Sequence, residues 1–512
     1  MIIKTIKLEN FRSFKREVAI DFSNLNVFVG ENDIGKSTIL EALDIFFNDN
    51  KGVIKIDKED INIGSKRVGD TDTKISVVFK DLPLTLTIDS TNNTILSEEY
   101  LLNSDGCLEI IKKYSNAGKA KVFIKANHPT NPECLDLLLK KNSDLKKILA
   151  GADIKCENKA KNAEIRKSIW GHYSDSLQLK EVEIELTKED AKNTWDSLQK
   201  YLPLYSLFQS DRKNSDGDSE IQDPMKLAVK EILKNTDITK KLNDIAQEVT
   251  QKLKDVTDKT LEKLKEMNPD VAKNLTPNIP SLESLKWADV FKNVSITGDD
   301  DIPINKRGSG VKRLILLNFF RAEAERRQKE EDTPSIVYAI EEPETSQHPQ
   351  HQMKLIKAFQ ELSNTGNTQI ILTTHSPAIV KLLDFENIKL IKKDESLDKE
   401  VVSINKKDLP YPSLNEVNYL AFFESDAEYH NELYGHIEAK DKLSEFKKDK
   451  EKRKYIKFFK GEEAETQITL TEYIRHQIHH PENGKNLQYT SEELQKSISE
   501  MRSFIQKNIS SN

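Results

Sequence analysis

A chain of 512 residues that is 37% hydrophobic carries more than one compact core normally organises, so two or three modules are expected. Its 78 Lys+Arg against 85 Asp+Glu leave a formal net charge of -7, which excludes a uniformly basic coat and confines any nucleic-acid surface to a local patch. The three cysteines, Cys107, Cys134 and Cys156, form no CxxC pair; this excludes a disulfide scaffold, a zinc ribbon and a thiol-redox motif and suits a reducing cytoplasm.

The opening MIIKTIKLEN is strand-like and charged, unlike a secretory signal. No stretch approaches the roughly 20 apolar residues of a membrane helix, so a soluble cytoplasmic protein with no membrane partner is expected. Residues 1–30 predict three short strands, IIKTIKL, REVAIDF and LNVFVG, the last an unbroken apolar run of the buried type. STILEALDIFF behind it has helical spacing. KISVVFK, PLTLTI and KVFIKAN predict further strands of the same lobe.

Between 131 and 284 the composition turns to Lys, Asp, Glu, Asn and Leu, and a helical insertion is expected. Leu242, Ile245, Val249, Leu253, Val256, Thr260 and Leu264 recur at spacings of three and four. That stripe suits either a helix packed on its own lobe, the reading preferred, or a short antiparallel coiled coil. From 285 to 410 α/β character returns. SIVYAIEE and TQIILTTHS are apolar runs ending in polar chemistry, and NIKLIKK with VVSINK predicts a closing pair of strands. After Pro410 and Pro412 the pattern reads as helical to the end, and 411–512 is expected to be a separate domain.

Gly30-Glu31-Asn32-Asp33-Ile34-Gly35-Lys36-Ser37 fits GxxxxGK[ST] without a mismatch and lies between a buried strand and a helix. The glycines let successive N–H groups and a helix N-terminus face an anion, Lys36 supplies a mobile charge to the β/γ-phosphates, and Ser37 can ligate Mg²⁺. SIVYAIEEPE brings Glu341 and Glu342 to the C-terminal end of a strand, where open α/β sheets place ligands. One carboxylate can hold Mg²⁺ and the next can polarise a water for phosphoryl transfer; the alternative is an acidic strand end that caps a turn. His375 in TTHS can contact a γ-phosphate, or can be an ordinary hydrogen-bonded strand end. In KRGSGVKR, Ser309-Gly310 at a helix start again offers N–H groups to an anion.

This order of motifs resembles the ABC-type ATPases of the RecF, SMC and OLD group, and LENFRSF is similar to that group's first strand. LPLYSLFQSDRKNSDGDSEIQDPMK resembles stand-alone ATPases of bacterial anti-phage defence, of the Septu or PARIS type. The resemblance implies an α/β fold: a P-loop ABC-type ATPase head in two lobes (1–130 and 285–410), with the inserted arm and a mainly helical C-terminal domain. It further implies that Lys36 and Ser37 bind phosphate and Mg²⁺, with Gly30, Asn32, Gly35 and Thr38 completing the cradle. Glu341 takes the Walker B place, Glu342 is the general base and His375 the switch histidine. Ser309 and Gly310 would contact the γ-phosphate of ATP held by a second protomer, and Arg12 the nucleotide. Two departures stand out: Walker B ends in Glu341 where many relatives have Asp, and no Q-loop glutamine is located.

The C-terminal signal is Tyr473-Ile474-Arg475-His476-Gln477-Ile478-His479-His480-Pro481-Glu482-Asn483. A histidine can take the proton from a ribose 2′-OH and an arginine can stabilise the phosphorane, which together suffice for metal-independent RNA cleavage. Arg475 and His480 so spaced resemble the motif of HEPN ribonucleases, which PrrC-type anticodon nucleases couple to an ABC ATPase. Plainer readings stay open: cations complementing a helix end stopped by Pro481, a partner-docking bundle, or a metal site. EFKKDKEKRKYIKFFK, with eight basic and three acidic residues, is either a phosphate-attracting and base-stacking patch or a solvated helix face. The function expected is an ATP-dimerised defence switch controlling RNA cleavage. The alternatives are an ATPase scaffold holding a separate effector nuclease, or a DNA-repair ATPase.

Overall fold

The computed structural model describes residues 1–209 apart from 50, 85, 90–91 and 188–190; 229–267; single positions and short runs between 287 and 326; and 335–509 apart from 346–347, 394–397, 405–408, 410 and 460–461. Two six-stranded sheets dominate it. The first is antiparallel, in the order Val18–Asp21, Ile2–Glu9, Asp72–Lys80, Leu108–Ser115, Lys121–Pro129, Leu179–Glu185. Ile3, Ile6 and Leu8 point from its first long strand into a core shared with Phe79, Ile110 and Ile124.

The second sheet runs Leu204–Phe208, Ile336–Glu341, Thr368–Thr373, Leu25–Val29, Ile388–Lys393, Lys399–Ser403, parallel except for the antiparallel last strand. Its central strands are buried on both faces, which is why LNVFV and TQIILT read as unbroken rather than alternating runs. The helix Lys36–Asn48 packs on one face through Ile39, Leu43 and Phe46. The helix Pro349–Ser363 packs on the other through Leu355, Phe359 and Leu362; it starts with Pro at its first turn and the His348 side chain accepting from Gln350 N.

Three expectations are corrected. The stretch 131–284 is not uniformly helical. Leu179–Glu185 joins the antiparallel sheet, where Glu181 pairs with Lys125 at 3.1 Å, and Leu204–Phe208 pairs with Ile336–Glu341. An edge strand carrying charges and a five-residue buried strand both lack the long period that marks a helix. The helix Thr236–Met267 carries its apolar stripe largely in the open: Ile245, Val249, Leu253 and Val256 are 51–63% exposed, so packing on its own lobe does not cover them.

The third concerns the C-terminal lobe, whose core comprises Tyr429, Leu433, Ile437, Phe446, Ile474, Leu494, Ile498 and Met501. It is mainly helical, with Ala427–Ala439, Leu470–His479 and Ser491–Asn508, the last two started by capping boxes at Thr469/Glu472 and Thr490/Glu493. Lys452–Phe459 and Glu462–Thr469, however, form an antiparallel hairpin. From Lys452 on, the basic run is therefore no helix face: it lies against an acidic strand, with Lys454 2.6 Å from Glu465, and Tyr455 turns inward. The preceding helix, Leu414–Phe422, buries Val417 and Ala421 in the core of the parallel sheet.

Candidate functional site

Four adjacent parallel strands end on the same side. Val29 leads into Gly30, Thr373 into Thr374 and His375, Glu341 into Glu342, and Phe208 into Gln209. The crevice at these ends is where an open α/β sheet holds its ligand.

Gly30 has φ 147°, and a Cβ there would stand 2.7 Å from Ile391 O, so only glycine fits. Gly35, at φ 108°, precedes the helix Lys36–Asn48, whose first turn receives no side-chain cap. Those N–H groups remain for an anion, reinforced by the helix dipole. Lys36 is buried and its Nζ donates to Gly30 O and Glu31 O, both at 2.8 Å, so the ammonium is folded back over its own loop. Burial holds its pKa below the usual lysine value, against the opposing pull of Glu342, Glu344 and Asp33. Asn32 and Ser37 are exposed, whereas Thr38 is buried behind the loop.

Glu341 ends its strand with Oε1 buried and unpartnered. Burial, then the charge of Glu41, raises its pKa, while the Ser37 hydroxyl and the Gln209 amide beside it pull the other way. Gln209 Nε2 donates to Glu41 Oε1 at 3.2 Å, and its own Oε1 is buried without a partner. A hydroxyl, a carboxylate and an amide oxygen with unfilled valence suit a small hard cation, so Ser37 and Glu341 fit the Mg²⁺ role expected of them. Gln209, just past the strand Leu204–Phe208, is a residue the sequence did not single out. Its signal was LYSLFQ, a buried run ending in a polar residue, hidden in a region read as helical.

Glu342 adopts φ 42°, the left-handed region that a non-glycine residue enters at a cost of about 1–3 kcal/mol. Its Oε1 lies 3.1 Å from His375 Nδ1. A carboxylate only accepts, so in a hydrogen bond between the two Nδ1 would be the donor. The expected base and the expected switch histidine are thus brought into contact. Arg12 is placed otherwise: it donates to Asp60 Oδ1 at 2.7 Å, pairs with Glu41 and lies over the Phe11 ring at 5.3 Å, so its described partners belong to the protein. Ser309 and Gly310 lie outside the described residues.

Arg475 and His480 are not brought to one point. Arg475 lies over the Tyr434 ring at 4.1 Å and 3.6 Å from Glu438, against the helix Ala427–Ala439. His480 turns to the hairpin side, 6.4 Å from the His476 ring that stacks on Tyr455, with Nδ1 3.2 Å from Glu482. Among the described residues no group of three His, Cys, Asp or Glu side chains is placed to hold a metal, and no helix is long and apolar enough to cross a membrane.

The profile of the AAA ATPase domain family matches residues 1–380. The OLD nuclease of Thermus scotoductus is 34% identical over 105 residues, 20% of this chain and 19% of that protein. Endonuclease GajA of Bacillus cereus is 24% identical over 395 residues, 77% of this chain and 58% of its own length. The matches thus span less than two thirds of either relative. A solved Smc head domain with an extended coiled coil, bound to the C-terminal domain of ScpA from Pyrococcus furiosus, is 13% identical; the match covers 79% of this chain and 96% of that one with a TM-score of 0.39.

Proposed function

This chain belongs to the AAA ATPase domain family, among the ABC-type ATPases of the RecF, SMC and OLD group, and we propose that it is an ATP-hydrolysing switch of prokaryotic anti-phage defence. The observation that carries the reading is the convergence of the Gly30–Ser37 loop, Gln209, Glu341, Glu342 and His375 on neighbouring strand ends. Gly30, Gly35, Lys36 and Ser37 would hold the phosphates of ATP, with Ser37 and Glu341 on Mg²⁺; the bound nucleotide supplies the phosphoryl group to be transferred. Glu342 accepts the proton of the attacking water, held in aim by its strained backbone and by His375. Lys36 leaves its backbone carbonyls for the phosphates. Ser309 of a second copy would close the site, so that ATP holds two chains together and hydrolysis releases them.

The C-terminal lobe is the output. Asn418 Nδ2 donates to Pro377 O at 3.2 Å, two residues beyond the switch histidine, and Lys381 reaches Asp426 at 3.4 Å and Glu428 at 2.6 Å. A displacement of His375 thereby reaches the lobe that carries Arg475 and His480. The first output reading is RNA cleavage by those two residues at a junction between two copies. It draws support from their spacing, from the partial exposure of both side chains, and from relatives named as nucleases. The second is docking of a separate effector nuclease, favoured by the separate partners of Arg475 and His480 within one chain. Total RNA from cells expressing wild type, Arg475→Ala and His480→Ala decides between them: breakage lost in both variants selects the first, and unchanged RNA with wild type selects the second. An inert wild type toward ATP would remove the switch itself.

A further inference from the structure

The turn after the Walker B strand contains an acid that the proposed chemistry does not use. Glu344 is 5% exposed in a crevice already holding Glu41, Glu341 and Glu342, so its burial is expensive unless it has a task. Its Oε1 accepts from Thr374 Oγ1 at 2.6 Å and from His375 N at 3.1 Å, and lies 3.7 Å from His375 Nδ1. Thr374 Oγ1 in turn accepts from Ser376 N at 3.0 Å, so one carboxylate oxygen organises all three residues of the turn. Glu344 is itself fixed: Gln352 Nε2 donates to its carbonyl at 3.3 Å, and Thr345 N closes the turn on Glu342 O at 3.1 Å. Oε2 is buried and receives no hydrogen bond.

We infer that Glu344 is a positioning residue of ATP hydrolysis, which grips the Thr374–His375–Ser376 turn and so keeps the His375 imidazole against Glu342. The inference rests on the hydrolysis reading above. A surface turn needs only a solvated acceptor, and serine or asparagine serves that purpose. A buried carboxylate linking two strand ends does something else: it makes the base and the histidine one rigid unit, so movement of either turn is felt by the other. A displacement of about 1 Å in such a unit costs on the order of 100-fold in rate.

The test needs no identified partner. In nucleotide-free protein, hydrogen exchange read by mass spectrometry over the 373–376 segment should quicken by about tenfold in Glu344→Ala and return to the wild-type rate in Glu344→Gln, whose amide oxygen still accepts. ATP turnover by Glu344→Ala should fall about 10- to 100-fold in kcat with KM within about twofold, and Glu344→Gln should recover most of it. Thr374→Val should reproduce the loss, and adding it to Glu344→Ala should cost nothing more. Should Glu344→Ala fail to fold, the Gln and Val variants carry the comparison alone. Wild-type exchange and wild-type kcat in Glu344→Ala, or full additivity of the pair, would overturn the inference. Exchange that responds as described in a protein with no ATP turnover would instead strike the hydrolysis reading and leave the placement of the turn intact.

Discussion

The nucleotide crevice and the C-terminal lobe both present charged side chains at the ends of regular elements, but they differ in what those side chains have left to offer. In the crevice, Glu341 Oε1, Gln209 Oε1 and Glu344 Oε2 are buried without partners, Lys36 is held only by backbone carbonyls, and Glu342 sits in a strained backbone region. The C-terminal lobe also buries unpartnered atoms, among them His430 Nδ1, Asn431 Oδ1 and Glu432 Oε2, but the two residues singled out there are engaged, Arg475 with Tyr434 and Glu438, and His480 with Glu482. Burying an unpaired polar group costs about 1–3 kcal/mol, and in the crevice three such atoms lie at or just beyond neighbouring strand ends. The first region thus gathers its described groups at one crevice within a single chain, whereas Arg475 and His480 have separate partners.

The sharpest break of that contrast is Lys36→Ala, which should weaken ATP binding by more than about 100-fold, some 3 kcal/mol, in a fluorescent-nucleotide titration while the thermal midpoint stays put. Next is Glu342→Gln: hydrolysis should fall by about 100- to 10,000-fold with binding retained, since general-base catalysis contributes on that scale. Light scattering with ATP should then report paired chains, and a single-protomer mass would break the two-chain picture.

The C-terminal lobe should respond in stability instead. Glu416 is fully buried, accepts from Tyr429 Oη, and receives Arg502 through Nε at 3.0 Å and Nη2 at 2.5 Å. Arg502→Met leaves that carboxylate uncompensated and should cost about 3–5 kcal/mol in chemical denaturation. His430, fully buried with Nε2 3.0 Å from Ser497 Oγ, has its pKa pushed down to about 4 by burial and then by the Arg475 charge. The unfolded chain takes up a proton that the folded state refuses. Stability should therefore decline as pH falls from about 6.5 to about 4, by about 3 kcal/mol in all, and His430→Asn should flatten the slope. The smallest effect belongs to the rim: Arg475→Ala and His480→Ala should each move stability by less than about 1 kcal/mol and leave ATP turnover unchanged. Turnover that falls with either would show that the two regions are not separable as drawn.

Legibility followed the range of the interactions. The Gly30–Ser37 loop, the Glu341–Glu342 strand end and His375 were readable because each is a local device: a glycine turn before a helix, or an acid or histidine closing a buried run. Gln209 was missed because its neighbour in space, Glu341, lies 132 positions later in the chain. Lys452–Phe459 was misread because its basic residues find acids on the returning strand, and composition cannot tell a cross-strand partner from solvent. Glu344 left no signal, since an acid after a proline in a turn is unremarkable until Thr374 is laid beside it.

What the sequence determined by itself is the phosphate-binding loop and the set of strands behind it, because backbone freedom at Gly30 and Gly35 and the period of the apolar runs are properties of neighbouring residues. Only the tertiary structure decided that Gln209, Glu342 and His375 emerge side by side and that Arg475 and His480 look apart. The parallel order of the sheet joins segments far apart in the chain, and no local spacing records which strand lies next to which.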